Sequence, residues 1–262
     1  MPHPTPAGSL ADRISHAVGV LAPLWTSWTL ETLREHGPLH ARELTAAMPW
    51  LNGPQTNQVL LRMRSGGLLD KPERGGYAPS RLGQRAYPAH RALASWHARH
   101  FERDNRAWKL GDRIEDALAR LRGKGTGQVL TALEQYGPLR PGALREATGL
   151  ASGSFHYRTQ QLLDDGLVTR LGPERHFAYA LTPAARQLAP VYAELHDFGR
   201  RSQANATADQ SNERSDVASR ARAARQHSPN APTVTGMFSH PPEPPPRVPA
   251  HITALSHPSR TR

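Results

Sequence analysis

The sequence predicts a mainly α-helical protein with small β-wings, organised as two tandem winged helix-turn-helix domains joined by a helical linker. Three observations predict this class: residues 139–181 follow a helix, turn, helix and hairpin pattern, the same pattern occurs about one hundred residues earlier, and the composition becomes polar and proline-rich after residue 200. The expected boundaries are 10–88 for the first domain, 89–109 for the linker, 110–200 for the second domain and 201–262 for a disordered Arg/Ala/Pro-rich tail.

The internal repeat needs no gap when residues 10–47 are laid on residues 110–147. Beyond residue 50 the register shifts by one, so that Leu51 and Gly67 match Leu150 and Gly166. A repeat of this length indicates a duplicated domain, because solenoid units span only about 20–50 residues. The residues that recur one hundred positions later are Leu10, Asp12, Arg13, Ile14, Ala17, Leu21, Thr26, Leu30, Leu33, Gly37, Pro38, Leu39 and Leu44.

The first copy divides into elements at its proline and glycine residues. Apolar residues recur at helical spacing in successive segments, and Pro23, Gly37-Pro38 and Gly66-Gly67 separate these segments. Pro54 is placed at a helix start, where its fixed φ and missing N–H are tolerated. The expected helices span 10–22, 25–36, 39–48, 54–65 and 80–88, the strands are 68–69 and 77–78 around a turn-rich wing, and a longer helix covers 89–108.

The second copy repeats this order and is followed by a segment of different composition. Its expected elements are helices over 112–121, 126–136, 139–148 and 152–165, a wing over 167–182 and a closing helix over 183–199. After residue 200 the chain is polar, and its run of prolines favours polyproline II. Such a composition cannot bury enough apolar surface to fold, so the tail is predicted to be disordered.

Composition and charge narrow the class of partner. The formal net charge is +11, and eight arginines against four acids after residue 200 leave +7 on residues 1–200, which favours a polyanion such as nucleic acid. The absence of cysteine excludes disulfides and thiolate metal sites. Neither an apolar run of about 18 residues nor a secretory signal is visible, so a cytoplasmic, nucleoid-associated protein with no membrane partner is expected.

The exposed face of the second motif helix in each copy carries side chains that read base edges. The major groove admits one α-helix, and there Gln and Asn suit adenine while Arg suits guanine. Wing residues beside that helix would meet phosphates or the minor groove. The predicted DNA-contacting residues are Gln55, Asn57, Gln58, Arg62 and, on the wing, Arg74 in the first copy, and Ser152, Ser154, His156, Tyr157, Arg158, Gln161 and, on the wing, Arg175 and His176 in the second.

The expected function is sequence-specific binding of double-stranded DNA by a transcriptional regulator, with no catalysis. The two recognition helices differ at nearly every exposed position, which predicts two unlike half-sites rather than a palindrome. Covalent linkage takes the place of the usual two-fold dimer, and the geometric expectation is two major-groove entries about one helical turn, roughly 34 Å, apart. Whether the tandem protein forms a further homodimer stays open.

Several segments resemble HxlR-type winged-helix transcriptional regulators. The resemblance rests on the segments "GPLHARELTAAM" and "GPLRPGALREATG", followed by "LLRMRSGGLLDK…YAPSRLG" and "QQLLDDGLVTR…FAYALTPAARQLAP". MarR- and ArsR-type regulators share the same pattern. The resemblance implies a bacterial repressor or dual regulator, and family members typically carry one such domain and dimerise through terminal helices. This chain departs by carrying two copies and by lacking the cysteine found near the N-terminus of many members.

Two other functions remain as alternatives to a transcriptional regulator. Winged helices also serve as protein-docking modules, so a protein-interaction scaffold would use the same helix faces against protein. Tandem winged helices also resemble plasmid replication initiators, which bind repeated origin sequences.

Further features of the sequence bear on catalytic, metal and effector sites. The "GKGTG" segment at 123–127 lacks the spacing of a phosphate loop and is expected to be a turn between helices. His97 and His100 share a helix face but lack a completing ligand set, and no nucleophile turn is present, so neither a metal, a cofactor nor an enzyme is expected. For Trp25, Trp28, Trp96 and Trp108 two interpretations stay open, namely packing between domains or protomers and a pocket for a small-molecule effector.

Overall fold

The computed structural model describes residues 10–72, 75–101, 108–173 and 176–226, with side chains described as far as residue 207. The predicted mainly helical architecture with small antiparallel sheets is confirmed in this part of the chain. The chain divides into two units, residues 1–211 and 212–262. Of the second unit, the described part is the C-terminal end of one helix. No helix among the described residues is long and apolar enough to cross a bilayer.

The first half of the chain contains six helices and two short strands within its described residues. The helices are α1 (Leu10–Leu21), α2 (Thr26–His36), α3 (Ala41–Ala47), α4 (Gly53–Ser65), α5 (Arg81–Gln84) and α6 (Tyr87–His100), and the strands are β1 (Leu69–Asp70) and β2 (Ala78–Pro79). The predicted strands are each one residue too early in the sequence. The predicted linker helix corresponds to α6, and residues 102–107 of that prediction lie outside the described residues.

The second half repeats this order of elements. Its helices are α7 (Leu110–Leu121), α8 (Thr126–Tyr136), α9 (Pro141–Thr148), α10 (Ser152–Asp164), α11 (Pro183–Arg186) and α12 (Ala189–Gln226), and its strands are β3 (Val168–Leu171) and β4 (Ala178–Leu181). Each strand pair is antiparallel, with Leu69 opposite Pro79 in one half and Val168 opposite Leu181 in the other. An added bridge joins Leu39 to Tyr77, and the same bridge joins Leu139 to Tyr179.

The last helix corrects the predicted start of the tail. Residues 201–262 were expected to be disordered, but α12 continues to Gln226. The physical reason is that residues 200–226 contain neither proline nor glycine and are rich in alanine, arginine and glutamine, which have high helix propensity. Low apolar content removes tertiary packing but does not prevent a helix. The remaining part of that prediction, 227–262, lies outside the described residues.

The two halves exchange their first helices. Helix α1 packs against α8, while α7 packs against α2. Gly111 on α7 lies so close to the Trp28 ring that an added Cβ would overlap it, and Gly127 on α8 brings its backbone to Ala11 of α1. Residues of both halves consequently share one core, and the chain up to Ser211 forms a single compact unit.

Helix α6 attaches the first half to the second. Trp96 is completely buried, and its Nε1 donates to the carbonyl oxygen of Ala184 at 2.9 Å. His97 is also completely buried and lies 2.9 Å from a carboxylate oxygen of Asp116 on α7. Trp108 contacts the His97 ring at a centroid distance of 4.7 Å. Together with Trp28, which packs on Gly111 of α7, three of the four tryptophans named above therefore serve the packing between halves.

A buried carboxyl group lies at the junction between α7 and α2. This is the side chain of Glu115, which lies beside the backbone of Trp25 and Trp28, whose N–H groups favour its charged form. Burial has the largest effect on this group and raises the pKa of Glu115 to about 7, against the lowering effect of these N–H groups. Protonation of Glu115 is thus linked to the stability of the contact between halves.

Substituting Glu115→Gln is expected to stabilise the protein at pH 8 and to change little at pH 4. The pKa of Glu115 rises on folding from 4.5 to about 7, so the folded chain holds a proton that the unfolded chain releases, and stability falls as the pH rises through this window. Glutamine keeps a polar group at this position without a charge, and the expected gain at pH 8 is on the order of 3 kcal/mol, the free energy that corresponds to this rise of the pKa. Urea unfolding at the two pH values measures it.

The control for this prediction is Glu146→Gln, at an exposed position of α9. The control should retain the pH dependence of the native chain. If Glu115→Gln loses stability between pH 4 and pH 8 as steeply as the native chain, the Glu115 carboxyl group is not the cause of the decrease in stability with pH.

Candidate nucleic-acid interface

Helix α4 begins with a capping box that uses one of the predicted base-reading residues. The Asn52 side chain accepts from the backbone N–H of Gln55 at 2.9 Å, and the Gln55 side-chain oxygen accepts from the backbone N–H of Asn52 at 3.1 Å. Such reciprocal bonds satisfy donors that the first turn of a helix leaves unpaired. Gln55 is exposed, but its oxygen is engaged and only its amino group remains to donate to a base.

The remaining surface of α4 is polar with one apolar exception. Asn57 and Gln58 are exposed as predicted, while Val59, Leu60 and Met63 are buried in the core as predicted. Thr56 is buried and accepts a hydrogen bond from Thr45 of α3 at 3.1 Å, which fixes the angle between the two motif helices. Leu61 is 72% exposed on this helix, a position that the sequence prediction left out.

Helix α10 presents a different set of side chains. Phe155 and Leu162 are buried as predicted, and Thr159 joins them. Of the residues predicted to contact DNA, Ser152, Ser154, His156 and Tyr157 are exposed, the last with 66% of its surface accessible. Gln161 is half-buried, and its amino group lies 3.5 Å from a carboxylate oxygen of Asp165.

Arg158 does not lie on the exposed face of α10, and its prediction as a surface residue is wrong. Only 8% of its surface is accessible, since it lies one helical turn from both Phe155 and Leu162 on the core side. Its Nε donates to the carbonyl oxygen of Lys124 at 3.1 Å, and a terminal nitrogen donates to that of Arg122 at 3.4 Å. An added Cβ at Gly123 would overlap the guanidinium, so this glycine is required for the contact.

Arg62 makes the corresponding contact in the first half. A terminal nitrogen of Arg62 donates to the carbonyl oxygen of Leu24 at 2.8 Å and to the Thr26 hydroxyl at 3.1 Å. Burial lowers the pKa of Arg62, and the nearby Glu115 carboxylate opposes this. Unlike Arg158, Arg62 is exposed overall, so it both anchors α4 and stays accessible.

Substituting Arg158→Ala is expected to destabilise the protein by about 2 kcal/mol. Two loop carbonyl groups would lose their donor, and unpaired buried polar groups cost about 1–3 kcal/mol each. Arg158→Lys should not restore stability, because one ammonium group cannot reproduce the fork of donors. Urea unfolding measures the change. Full stability combined with lost DNA affinity would contradict the buried position and return Arg158 to the DNA-contacting face.

The wings carry basic residues at corresponding positions that the sequence prediction missed. Lys71 lies over the Tyr77 ring at 5.1 Å, and Arg170 lies over the Phe177 ring at 5.1 Å. Both are exposed, and they occupy matching positions of the repeat. The signal that could have found them is this match of two basic residues at the start of each wing. His176 is exposed, while Arg74 and Arg175 lie outside the described residues.

A second group of basic residues surrounds the first motif helix. His40 precedes α3 and Arg140 precedes α9 at matching positions, and both are exposed. Arg42 and Arg145 are exposed on the same two helices. With the wing residues, each half therefore has basic groups on the elements before and after α4 or α10.

The histidines that suggested a metal site are used in packing. His90 bonds to Glu31 at 2.8 Å, His97 to Asp116 at 2.9 Å, and His100 to Gln187 at 3.2 Å. Among the described residues, no group of three or more His, Asp or Glu side chains is arranged to hold a metal ion. The segment 123–125 lies between α7 and α8, which is the predicted turn between helices.

Comparison with known proteins adds little to this geometry. No family model and no curated protein matches the chain. Among solved structures, the chain is similar to the crystal structure of transcriptional regulator Tm0710 from Thermotoga maritima, with 17% sequence identity and a TM-score of 0.24 over 57% of this chain and 96% of that chain. A TM-score this low supports no conclusion about function.

Proposed function

We propose that this protein binds double-stranded DNA sequence-specifically as a transcriptional regulator of the HxlR-like winged-helix type, acting as a repressor or dual regulator. The observation that carries the proposal is the pair α4 and α10. Each helix follows a short motif helix, buries one face in the core and exposes polar side chains on the other. Basic residues on the flanking elements, such as Lys71 and Arg170, provide contacts to phosphates.

The two halves act as an internal counterpart of a dimer in this proposal. Exchange of α1 and α7 between halves fixes the two recognition helices in one rigid unit. Rigid linkage places the second helix at DNA without a further loss of translational freedom. One chain should consequently occupy two adjacent and unlike half-sites.

Selection of bound duplexes from a random DNA pool, with the full-length chain at near-physiological salt, tests this proposal. A bipartite and asymmetric motif is the expected result. A palindrome would mean that one half reads DNA within a higher-order dimer. Binding that only decreases with salt for every sequence would indicate general polyanion affinity and exclude specific regulation.

A protein-interaction scaffold is the second candidate, and two exposed side chains favour it. Leu61 and Tyr157 project from the recognition helices with 72% and 66% of their surfaces accessible. Tyrosine is enriched among the residues that contribute most to protein interfaces, and an exposed leucine beside it would add apolar area. Leu61→Ala should leave DNA selection almost intact if DNA is the partner, since leucine offers no hydrogen bond to a base edge.

A further inference from the structure

A cavity of about 550 Å³ lies between α1 and the loop that joins α7 to α8. Ser15, Val18 and Gly19 of α1 form one wall. Gly125 and Gln128 belong to the opposite wall, which is formed by the loop and the first turn of α8. Because α1 has exchanged halves, this cavity exists only through the contact between the two halves.

The repeat produces a corresponding but smaller cavity in the first half, where aromatic side chains fill part of the space. That space, between α7 and the start of α2, measures about 250 Å³ and is lined by Trp25, Trp28 and Trp50. The Trp28 and Trp50 rings are 4.8 Å apart, and those of Trp25 and Trp50 are 6.1 Å apart. The Lys109 ammonium lies 5.8 Å from the Trp28 ring and 5.7 Å from the Trp50 ring.

Sequence differences explain why aromatic side chains occupy part of the first-half cavity and leave the second-half cavity open. Gly125 and Gln128 stand at the positions of Trp25 and Trp28, and Trp50 has no counterpart because the second turn is one residue shorter. Trp25 adopts a φ of 71°, which is uncommon for a bulky residue, whereas glycine adopts it freely. In the first half, the strained backbone of Trp25 thus places an indole ring in the space that is open in the second half.

A carboxylate is replaced together with the rings. In the first half the Glu115 side chain lies beside the backbone N–H groups of Trp25 and Trp28. Its counterpart in the second half is Ser15, which is too short to reach the same backbone groups with a carboxylate. The open cavity therefore lacks both the aromatic rings and the carboxyl group of the first-half site.

The charged residues around the open cavity favour an anion more than those around the first-half cavity. Arg122 and Lys124 contribute to its lining, and their counterparts in the first half are Ala22 and Leu24. Asp12 is the acid in the lining, and it is matched by Asp112 in the first half. The first-half site has Lys109, whose counterpart is Ser9. Relative to the first-half site, the open site therefore has one more basic residue and one carboxyl group fewer.

We propose that the cavity between α1 and the α7–α8 loop binds a small aromatic carboxylate of indole size. The ring occupies the space that Trp25, Trp28 and Trp50 fill in the first half. The carboxylate takes the place of Glu115, against the backbone at Gly125 and Gln128 and near Arg122 and Lys124. Binding is reversible and involves no covalent step.

The same loop connects the cavity to a recognition helix. Carbonyl oxygens of Arg122 and Lys124 hold the Arg158 guanidinium of α10. A ligand that contacts this loop is therefore connected, through the two hydrogen bonds of Arg158, to the helix proposed to read DNA. The ligand site itself does not depend on the DNA-binding proposal.

Titration of the full-length chain with 2-naphthoate, and in parallel with the neutral 2-naphthamide, tests the site without DNA. Calorimetry and ligand-observed NMR should give a dissociation constant of about 1 mM or tighter for the carboxylate, a value ordinary for so small a ligand. The amide should bind at least about tenfold more weakly, because it lacks the anion. Equal affinity for the two probes, or no binding of 2-naphthoate, would overturn the proposal.

Two variants that copy the first half locate the binding. Gln128→Trp restores one ring and Ser15→Glu restores the carboxylate, so each should weaken 2-naphthoate binding at least about tenfold. Gln135→Trp and Thr131→Glu, at exposed positions of α8 outside the lining, are the matched controls and should bind as the native chain does. Thermal unfolding verifies that each variant is folded. Native affinity in both folded cavity variants would place the ligand elsewhere and refute the assignment.

Discussion

Replacing Trp96 with alanine is expected to lower the free energy of unfolding by about 3–5 kcal/mol, the range for truncating a buried aromatic side chain. Trp96 is completely buried, contacts the Phe101 ring at 5.1 Å and donates to the Ala184 carbonyl oxygen at 2.9 Å. The substitution removes packing at the contact between halves and leaves that carbonyl without its donor. The melting temperature should fall on the order of 10 °C.

Scanning calorimetry with circular dichroism measures this effect and its cooperativity. Because residues of both halves share one core, native and Trp96→Ala proteins should each unfold the first unit in a single transition. Trp50→Ala is the matched control, since its side chain is 40% exposed and its removal should cost less than half as much. Two separate transitions in the native chain would show that the halves fold independently and would contradict the shared core.

Replacing Asn57 and Gln58 together with alanine is expected to weaken binding to the selected DNA about ten- to hundredfold. Both side chains are exposed on α4, and each bidentate contact to a base contributes about 1–3 kcal/mol of discrimination. The loss should be confined to one half-site, because α10 is unchanged. His156→Ala should relax the specificity of the other half-site.

Competition binding against duplexes mutated in one half-site measures this prediction. Gln203→Ala with Asn205→Ala removes the same two residue types from exposed positions of α12 and should leave affinity unchanged. The salt dependence should also stay the same in the α4 variant, since contacts to phosphates remain. Lys71→Ala should instead weaken all sequences and reduce the salt slope by about 1. Unchanged affinity of the α4 variant for every duplex would rule out base reading by this helix.

Arg158 shows why exposed positions on a helix could not all be predicted from the sequence. An arginine between polar neighbours is expected at the surface, because arginine is rarely buried without partners. Its partners here are backbone carbonyl oxygens of residues 122 and 124, more than thirty positions earlier in the chain. Local periodicity contains no information about such distant acceptors. Gln55 differs, because the Asn52-x-x-Gln55 spacing is itself a capping signal that was available.

Element order, the internal repeat and the polar faces of α4 and α10 were determined by the sequence alone. Apolar periodicity and the positions of proline and glycine specify secondary structure over a few residues. Because of the repeat, the same elements could be predicted independently in each half. The exchange of α1 and α7, the burial of Arg158 and the open cavity were decided only by the tertiary structure. Each depends on contacts between residues more than thirty positions apart, and close packing selects these contacts by shape and volume rather than by local propensity.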